Sequence, residues 1–191
     1  MARSANLSLL TYTYWWILLT LVACTAQTGV TFLSFDDLDI PKKGLIFPPA
    51  PYHGLAFAYF SAFDPKAPGL AGLIHPLDVN CAVSAPNALL GSRLYEDGPV
   101  ASFEIPTTSS ALYGQANRTF ALQQLMIKPM FAPEPGTNLT IRGVRDDDET
   151  LSWSVWFPSG FYDMFEVRIE EFSRKKWDHL RKVEIFADFG Y

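Results

Sequence analysis

The chain has 191 residues, 49% hydrophobic and 15% aromatic, with 15 Lys and Arg against 20 Asp and Glu for a net charge of −5. That length suits one domain. The acidic balance provides no basic footprint, so neither nucleic acid nor an anionic membrane surface is expected as a partner.

Residues 1–26 follow the plan of a secretory signal. Arg3 gives a positive start, an uncharged run from Leu9 to Ala23 carries Trp15, Trp16, Ile17, Leu18, Leu19, Leu21 and Val22, and small residues close it at Cys24, Thr25 and Ala26. Cleavage is expected after Ala26, leaving a secreted, extracellular domain over residues 27–191 with no stable membrane insertion. Two alternatives stand beside this. An uncleaved anchor would need about 20 apolar residues, and Thr11, Thr13 and Thr20 interrupt the run. Leu21-Val22-Ala23-Cys24 also matches a bacterial lipoprotein box. Arg3 is the only charge before residue 27, so the remainder carries 14 basic and 20 acidic side chains, net −6.

Past the signal, Val30 to Phe35 reads as a strand, followed by Asp36-Asp37-Leu38. The stretch from Gly54 to Phe63 holds Phe57, Tyr59, Phe60 and Phe63 and reads as buried. Prolines at 48, 49, 51, 65, 68, 76 and 86 cut this half into pieces too short for long helices. Phe120 to Met130 is another strand candidate.

The second half alternates with period two. Leu139 and Ile141 alternate with Thr140 and Arg142. Leu151, Trp153, Val155 and Phe157 share one face, opposite Ser152, Ser154 and Trp156. Phe165, Val167 and Ile169 alternate with Glu166, Arg168 and Glu170, and Val183, Ile185 and Ala187 with Glu184, Phe186 and Asp188. Asp146-Asp147-Asp148-Glu149 sits in a polar hairpin loop spanning Arg145 to Thr150, and Pro133-Glu134-Pro135-Gly136 and Pro158-Ser159-Gly160 are further breaks. Phe172 to Leu180 reads as one short helix with Phe172, Trp177 and Leu180 on one face. Eight or nine short strands predict an all-β fold, an antiparallel β-sandwich of jelly-roll type.

Phe35-Asp36-Asp37-Leu38, Pro51-Tyr52-His53-Gly54-Leu55, Phe120-Ala121-Leu122 and Leu139-Thr140-Ile141-Arg142-Gly143 together resemble a pattern in secreted fungal proteins of unassigned function. The resemblance spans most of the chain after the signal, through short motifs. It implies a jelly roll similar to galactose-binding-like and carbohydrate-binding modules, and no activity. Proteins of that pattern continue past the position of Tyr191, which implies a last strand missing here, an unpaired sheet edge and a lost partner for Cys81.

Once Cys24 is removed, Cys81 is a lone thiol, either buried and inert or paired outside the chain. His53, His75 and His179 have no Cys or His neighbour at ligand spacing, so no zinc site is expected. Asn117-Arg118-Thr119 and Asn138-Leu139-Thr140 are glycosylation sequons whose side chains, if used, face solvent. Asp36 and Asp37 are candidate ligands for a structural calcium ion, against the plainer reading of a turn with Asp favoured for local hydrogen bonding. The acidic loop from Asp146 to Glu149 lacks the spacing of a calcium loop and reads as a solvated tip. Trp156 points away from the apolar face of its strand, and an outward Trp can stack on a sugar ring; the competing reading covers that face with a loop or the Trp177 helix. Tyr162 and Tyr113 are weaker candidates for the same role.

No nucleophile elbow, metalloprotease helix, phosphate loop or dinucleotide fingerprint occurs. Three readings remain: a non-catalytic protein binding carbohydrate or cell-wall polymer, an effector-like protein-interaction module, and a divergent extracellular glycoside hydrolase. The first is preferred on the fold expectation and Trp156.

Overall fold

A computed structural model describes residues 30–42, 44–91, 98–106, 118–129 and 136–189. The expected signal, Tyr113 and Asn117 lie outside the described residues. The chain divides into two compact units, Met1–Phe32 and Leu33–Tyr191, and the strands and helices described below belong to the second.

Ten strands occur among the described residues: β1 Leu45–Ile46, β2 Ala56–Ala58, β3 Phe60–Phe63, β4 Ala88–Gly91, β5 Ala101–Glu104, β6 Gln124–Ile127, β7 Gly136–Arg145, β8 Thr150–Pro158, β9 Phe165–Arg168 and β10 Leu180–Phe189. One short helix, α1, spans Ile169–Ser173, and two single 3₁₀ turns span Pro68–Leu70 and Pro76–Asp78. The strands form a five-stranded sheet in the order β2-β5-β10-β7-β8, a three-stranded sheet β1-β3-β4 and a ribbon β6-β9. Every strand pairing is antiparallel. The protein is therefore mostly antiparallel β-structure with one short helix, and no helix among the described residues is long and apolar enough to cross a membrane.

The hairpin β7–β8 anchors the large sheet. Its loop closes through the Arg145 N–H donating to the Glu149 carbonyl, with Asp148 at φ 67° and the Asp147 carboxylate accepting from the Glu149 N–H. Arginines hold the acidic tip. Arg145 pairs with Glu149 at 2.5 Å and with Asp178 at 3.0 Å, and Arg181 pairs with Asp148. The expected hairpin stands, with two of its four carboxylates in ion pairs.

The alternation seen in the sequence becomes two faces. Leu151 and Phe157 on β8, Leu139 and Ile141 on β7, Val183 on β10 and Ala101 and Phe103 on β5 are buried on one side. Ala101, Phe103, Ile141, Leu151 and Val183 share one core with Leu122, Val167, Ile169, Trp177 and Leu180, with Leu125, Ile127 and Phe165 alongside, and Phe157 packs on Phe165. The ribbon β6–β9, α1 and the loop after it thus cover this inner face. Trp177 is fully buried, and a Cβ at Gly143 would come within 2.9 Å of its ring, so the indole lies against bare β7 backbone.

Four expectations need correction. Residues 30–35 form no strand; Phe35 adopts φ 64° and turns the chain at Asp36-Asp37. The strand within Phe120–Met130 is shorter, Gln124–Ile127, and Phe120 makes only an isolated bridge to Leu180. The helix lies earlier than Phe172–Leu180: Arg174 takes the left-handed conformation (φ 55°) and stops it after Ser173, and Leu180 already begins β10. Trp177 hangs in the intervening loop, its backbone N–H on the Glu170 carboxylate (3.1 Å) and its indole N–H on the Ser173 hydroxyl (2.9 Å). Ile169, expected to extend its strand, instead starts α1. The last described strand, β10, lies inside the five-stranded sheet between β5 and β7.

The aromatic stretch from Gly54 to Phe63 divides at one residue. Ala58 pairs with Ser102 in the five-stranded sheet, and Phe60 pairs with Gly91 in the three-stranded sheet. Between them Tyr59 takes φ 58°, a left-handed corner rare for a non-glycine residue, and this switches the chain from one sheet to the other. Tyr59 is consequently exposed, while Phe60 and Phe63 are buried.

Candidate functional site: the outer face of the five-stranded sheet

The residues between the buried positions point to the opposite face, and the register arranges them in rows. Asp188, Asn138 and Trp156 form one row across β10, β7 and β8. Phe186, Thr140 and Ser154 form the next, followed by Glu184, Arg142 and Ser152, with Ser102 of β5 beside Glu184. Neighbouring strands lie about 4.8 Å apart and successive rows about 6.8 Å apart. The result is a shallow polar surface with Trp156 at its margin on the edge strand β8.

Trp156 is 55% exposed. Its indole leans over Gly136, diagonally placed on β7: a Cβ there would fall 2.4 Å from Cζ2 and 3.0 Å from Cη2. A glycine at 136, at φ 143°, therefore lets the ring rest on backbone. The Trp177 loop, a possible cover for this face, packs instead on the inner face at Gly143. The outward direction of Trp156 read from the alternation is the observed one.

The rest of the face is held by short-range polar contacts. Thr140 and Ser154 share a 2.9 Å hydrogen bond between their hydroxyls. Arg142 donates to Glu184 at 3.2 Å and stands 5.3 Å from the Phe186 ring centroid, a cation–π arrangement. Lys182 reaches Glu184 from the other side at 2.9 Å. Glu184 is thereby held between two cations, and Arg142 covers Phe186. The exposed aromatic surface of the face is that of Trp156, next to the half-buried Asn138 carboxamide and the exposed Ser152 and Ser154. Such a surface can stack one apolar ring face and offer amide and hydroxyl groups to the ring's polar rim.

The other expected site residues lie elsewhere. Tyr162 is 50% exposed but sits in the turn beyond β8, off the ladder of rows. Asp36 and Asp37 are engaged by protein donors. Asp36 accepts from the Asn87 N–H at 3.1 Å, and hydrogen bonding by Ser84 is the main influence holding its pKa below the ordinary carboxylate value. Asp37 accepts from the Tyr52 hydroxyl at 2.5 Å, which lowers its pKa too, with His53 at 3.6 Å adding a smaller effect. Burial and the Asp37 carboxylate push the Tyr52 phenol up to about 12. The Asn87 carboxamide donates to the carbonyls of Phe35 (2.7 Å) and Leu38 (3.0 Å), and Phe35 stacks on Tyr52 with centroids 5.0 Å apart. The two short motifs around Phe35 and Tyr52 thus close on each other as one pinned turn. Among the described residues no group of three His, Cys, Asp or Glu side chains is placed to hold a metal ion.

Cys81 is half-buried and burial raises its thiol pKa, so the thiolate is disfavoured. Nearby, Lys128 and Asp78 form a 2.8 Å ion pair with side chains only 5% and 1% exposed, and Lys128 also donates to the Leu77 carbonyl. This pair ties the Pro76–Asp78 turn to the end of β6.

The cross-strand pairing of Asn138 with Trp156 is the relation that single residues did not reveal. A loop read as Arg145–Thr150 would set Val144 opposite Leu151; in the structure Thr150 already pairs with Val144, and this one-residue shift brings Asn138 opposite Trp156. Compared with protein-family models, with curated proteins and with solved structures, the chain shows no significant match.

Proposed function

We propose that this is a secreted, non-catalytic protein of β-sandwich, jelly-roll-like build that binds carbohydrate or cell-wall polymer on the outer face of its five-stranded sheet. The observation that carries the reading is Trp156: a large aromatic, 55% exposed, resting on Gly136 and flanked by amide and hydroxyl side chains on a sheet face whose reverse side is the packed core. An indole on a sheet face offers a flat apolar surface, and a sugar ring offers a matching C–H face. The coverage of the inner face by the ribbon β6–β9 supports the sandwich description. Glu184, the acid in the middle of the face, is engaged by Arg142 and Lys182, which favours binding over acid–base chemistry.

The test is retention on insoluble chitin, cellulose and β-glucan, using protein made in a host that attaches no glycans. Wild type is expected to be retained on at least one polymer. Trp156→Ala, folded by circular dichroism, should lose about tenfold or more in affinity, since truncating an aromatic anchor costs upward of about 1.4 kcal/mol. A folded wild type retained on none of them would end the carbohydrate reading and turn the search to protein partners.

A further inference from the structure

The sequon and the aromatic platform are one place. In Asn138-Leu139-Thr140 the middle residue is buried in the core, so Asn138 and Thr140 both stand on the outer face. Asn138 lies directly opposite Trp156 in the β7–β8 register, which puts their Cβ atoms about 4.5–5.5 Å apart. Side chains on a sheet rise roughly perpendicular to it. A sugar bonded to the Asn138 amide would therefore start beside the indole, whose own ring is laid down over Gly136.

We propose that Asn138 carries an N-linked glycan whose core sugars seat on Trp156, so that glycosylation fills the platform from within and its absence leaves the platform open to external carbohydrate. The donor is a lipid-diphosphate-linked oligosaccharide. Asn138 Nδ2 attacks the anomeric carbon of its first sugar, the C–N bond forms, the bond from that carbon to the diphosphate oxygen breaks, the lipid diphosphate leaves, and a base takes the amide proton. Two features time the step. β7 is enclosed between β10 and β8, and Thr140 is 8% exposed with its hydroxyl bonded to Ser154. A transferase needs the tripeptide extended and accessible, so attachment precedes closure of the sheet. Once the sheet forms, the glycan has the open face above the rows to occupy, and the apolar side of a pyranose can cover the indole where an external ligand otherwise would.

The gating consequence rests on the proposed carbohydrate-binding reading; the modification and the stacking do not. The test is made on the full chain expressed in a eukaryotic secretory host, comparing wild type, the same folded protein stripped by a glycan-releasing amidase, which leaves a carboxylate at position 138, and the neutral variant Asn138→Gln. Peptide mass spectrometry reads the glycan at position 138 and the extent of Trp156 oxidation by N-bromosuccinimide, with buried Trp177 as internal reference. The expected result is an occupied Asn138 and a Trp156 oxidised several-fold more slowly in wild type than in the stripped protein or Asn138→Gln. The stripped sample keeps the comparison valid even where the variant folds poorly. An unmodified Asn138, or a glycan that leaves Trp156 oxidation unchanged, overturns the proposal. Polymer retention on the same samples separates the two readings. Retention confined to glycan-free protein supports the gate. Protection of Trp156 with no retention in any sample overturns the gate and the carbohydrate-binding role, and leaves the seating of the glycan standing.

Discussion

The two faces of the five-stranded sheet are made by alternate residues of the same strands, yet they are governed by different physics. On the inner face Ile141, Leu151 and Val183 share one core with Val167, Ile169 and Trp177, Phe157 meets Phe165 of β9, and Leu139 is buried beside them on the same face. On the outer face a second Trp, three residues past Trp153, is left 55% exposed among Asn138, Thr140, Ser154 and paired charges. One indole is consumed in holding the fold and the other is held by it. The lesson is that a residue's neighbours across the ladder, rather than its hydrophobicity, decide which of these it does.

The largest expected effect should fall on the inner face. Trp177→Ala removes a fully buried indole from against Gly143, which should cost about 3–5 kcal/mol in chemical denaturation. Trp156→Ala should cost no more than about 0.5 kcal/mol, as for surface positions in general. Equal losses at the two positions would erase the distinction between the faces.

Charged pairs extend the same comparison. Lys128 and Asp78 are 5% and 1% exposed, whereas Arg142 and Glu184 on the outer face are 45% and 17% exposed. Lys128→Ala leaves a buried carboxylate without its cation and should cost about 3–5 kcal/mol. Arg142→Ala should cost about 0–1 kcal/mol, because water screens the pair. Denaturation midpoints for the two variants, compared at one pH, check this directly; a larger loss for Arg142→Ala would mean that the outer face is not solvated.

The smallest effect concerns the Phe35–Leu38 turn. The pKa values of Asp36 and Asp37 are both lowered from 3.8, so the stability they contribute is complete above that value and is lost as pH falls through their lower folded values. Tyr52 is raised to about 12 from 10.0, so its contribution is complete below 10.0 and disappears as pH rises through the folded value. The turn should therefore be firmest between those limits. In Tyr52→Phe the Asp37 titration, followed by carboxyl NMR, should move up toward 3.8; an unmoved titration would show that the Tyr52 hydroxyl does not hold Asp37.

Much of this architecture is legible in the sequence because β7, β8 and β10 obey one period and one hairpin loop sets their register. From Leu151 to Phe157 each buried and exposed position follows from alternation alone. What escapes is local backbone choice. Tyr59, Arg174 and His179 all take positive φ without being glycine, and no composition rule marks the first as a corner between sheets or the second as the end of α1. Trp177, spaced as though on a helix, is buried from a loop because Glu170 and Ser173 bind it there. At the candidate site, Trp156 and Asn138 are each visible as single residues, while their adjacency is a property of the register.

On the proposed reading, the outer face binds through Trp156 rather than through exposed aromatic surface in general. Tyr162, 50% exposed and off the ladder, is the natural control. Retention of glycan-free wild type, Trp156→Ala and Tyr162→Ala on the same insoluble polymers decides between them. Tyr162→Ala is expected to be retained like wild type and Trp156→Ala is not; retention of Trp156→Ala at the wild-type level would rule out Trp156 as the platform.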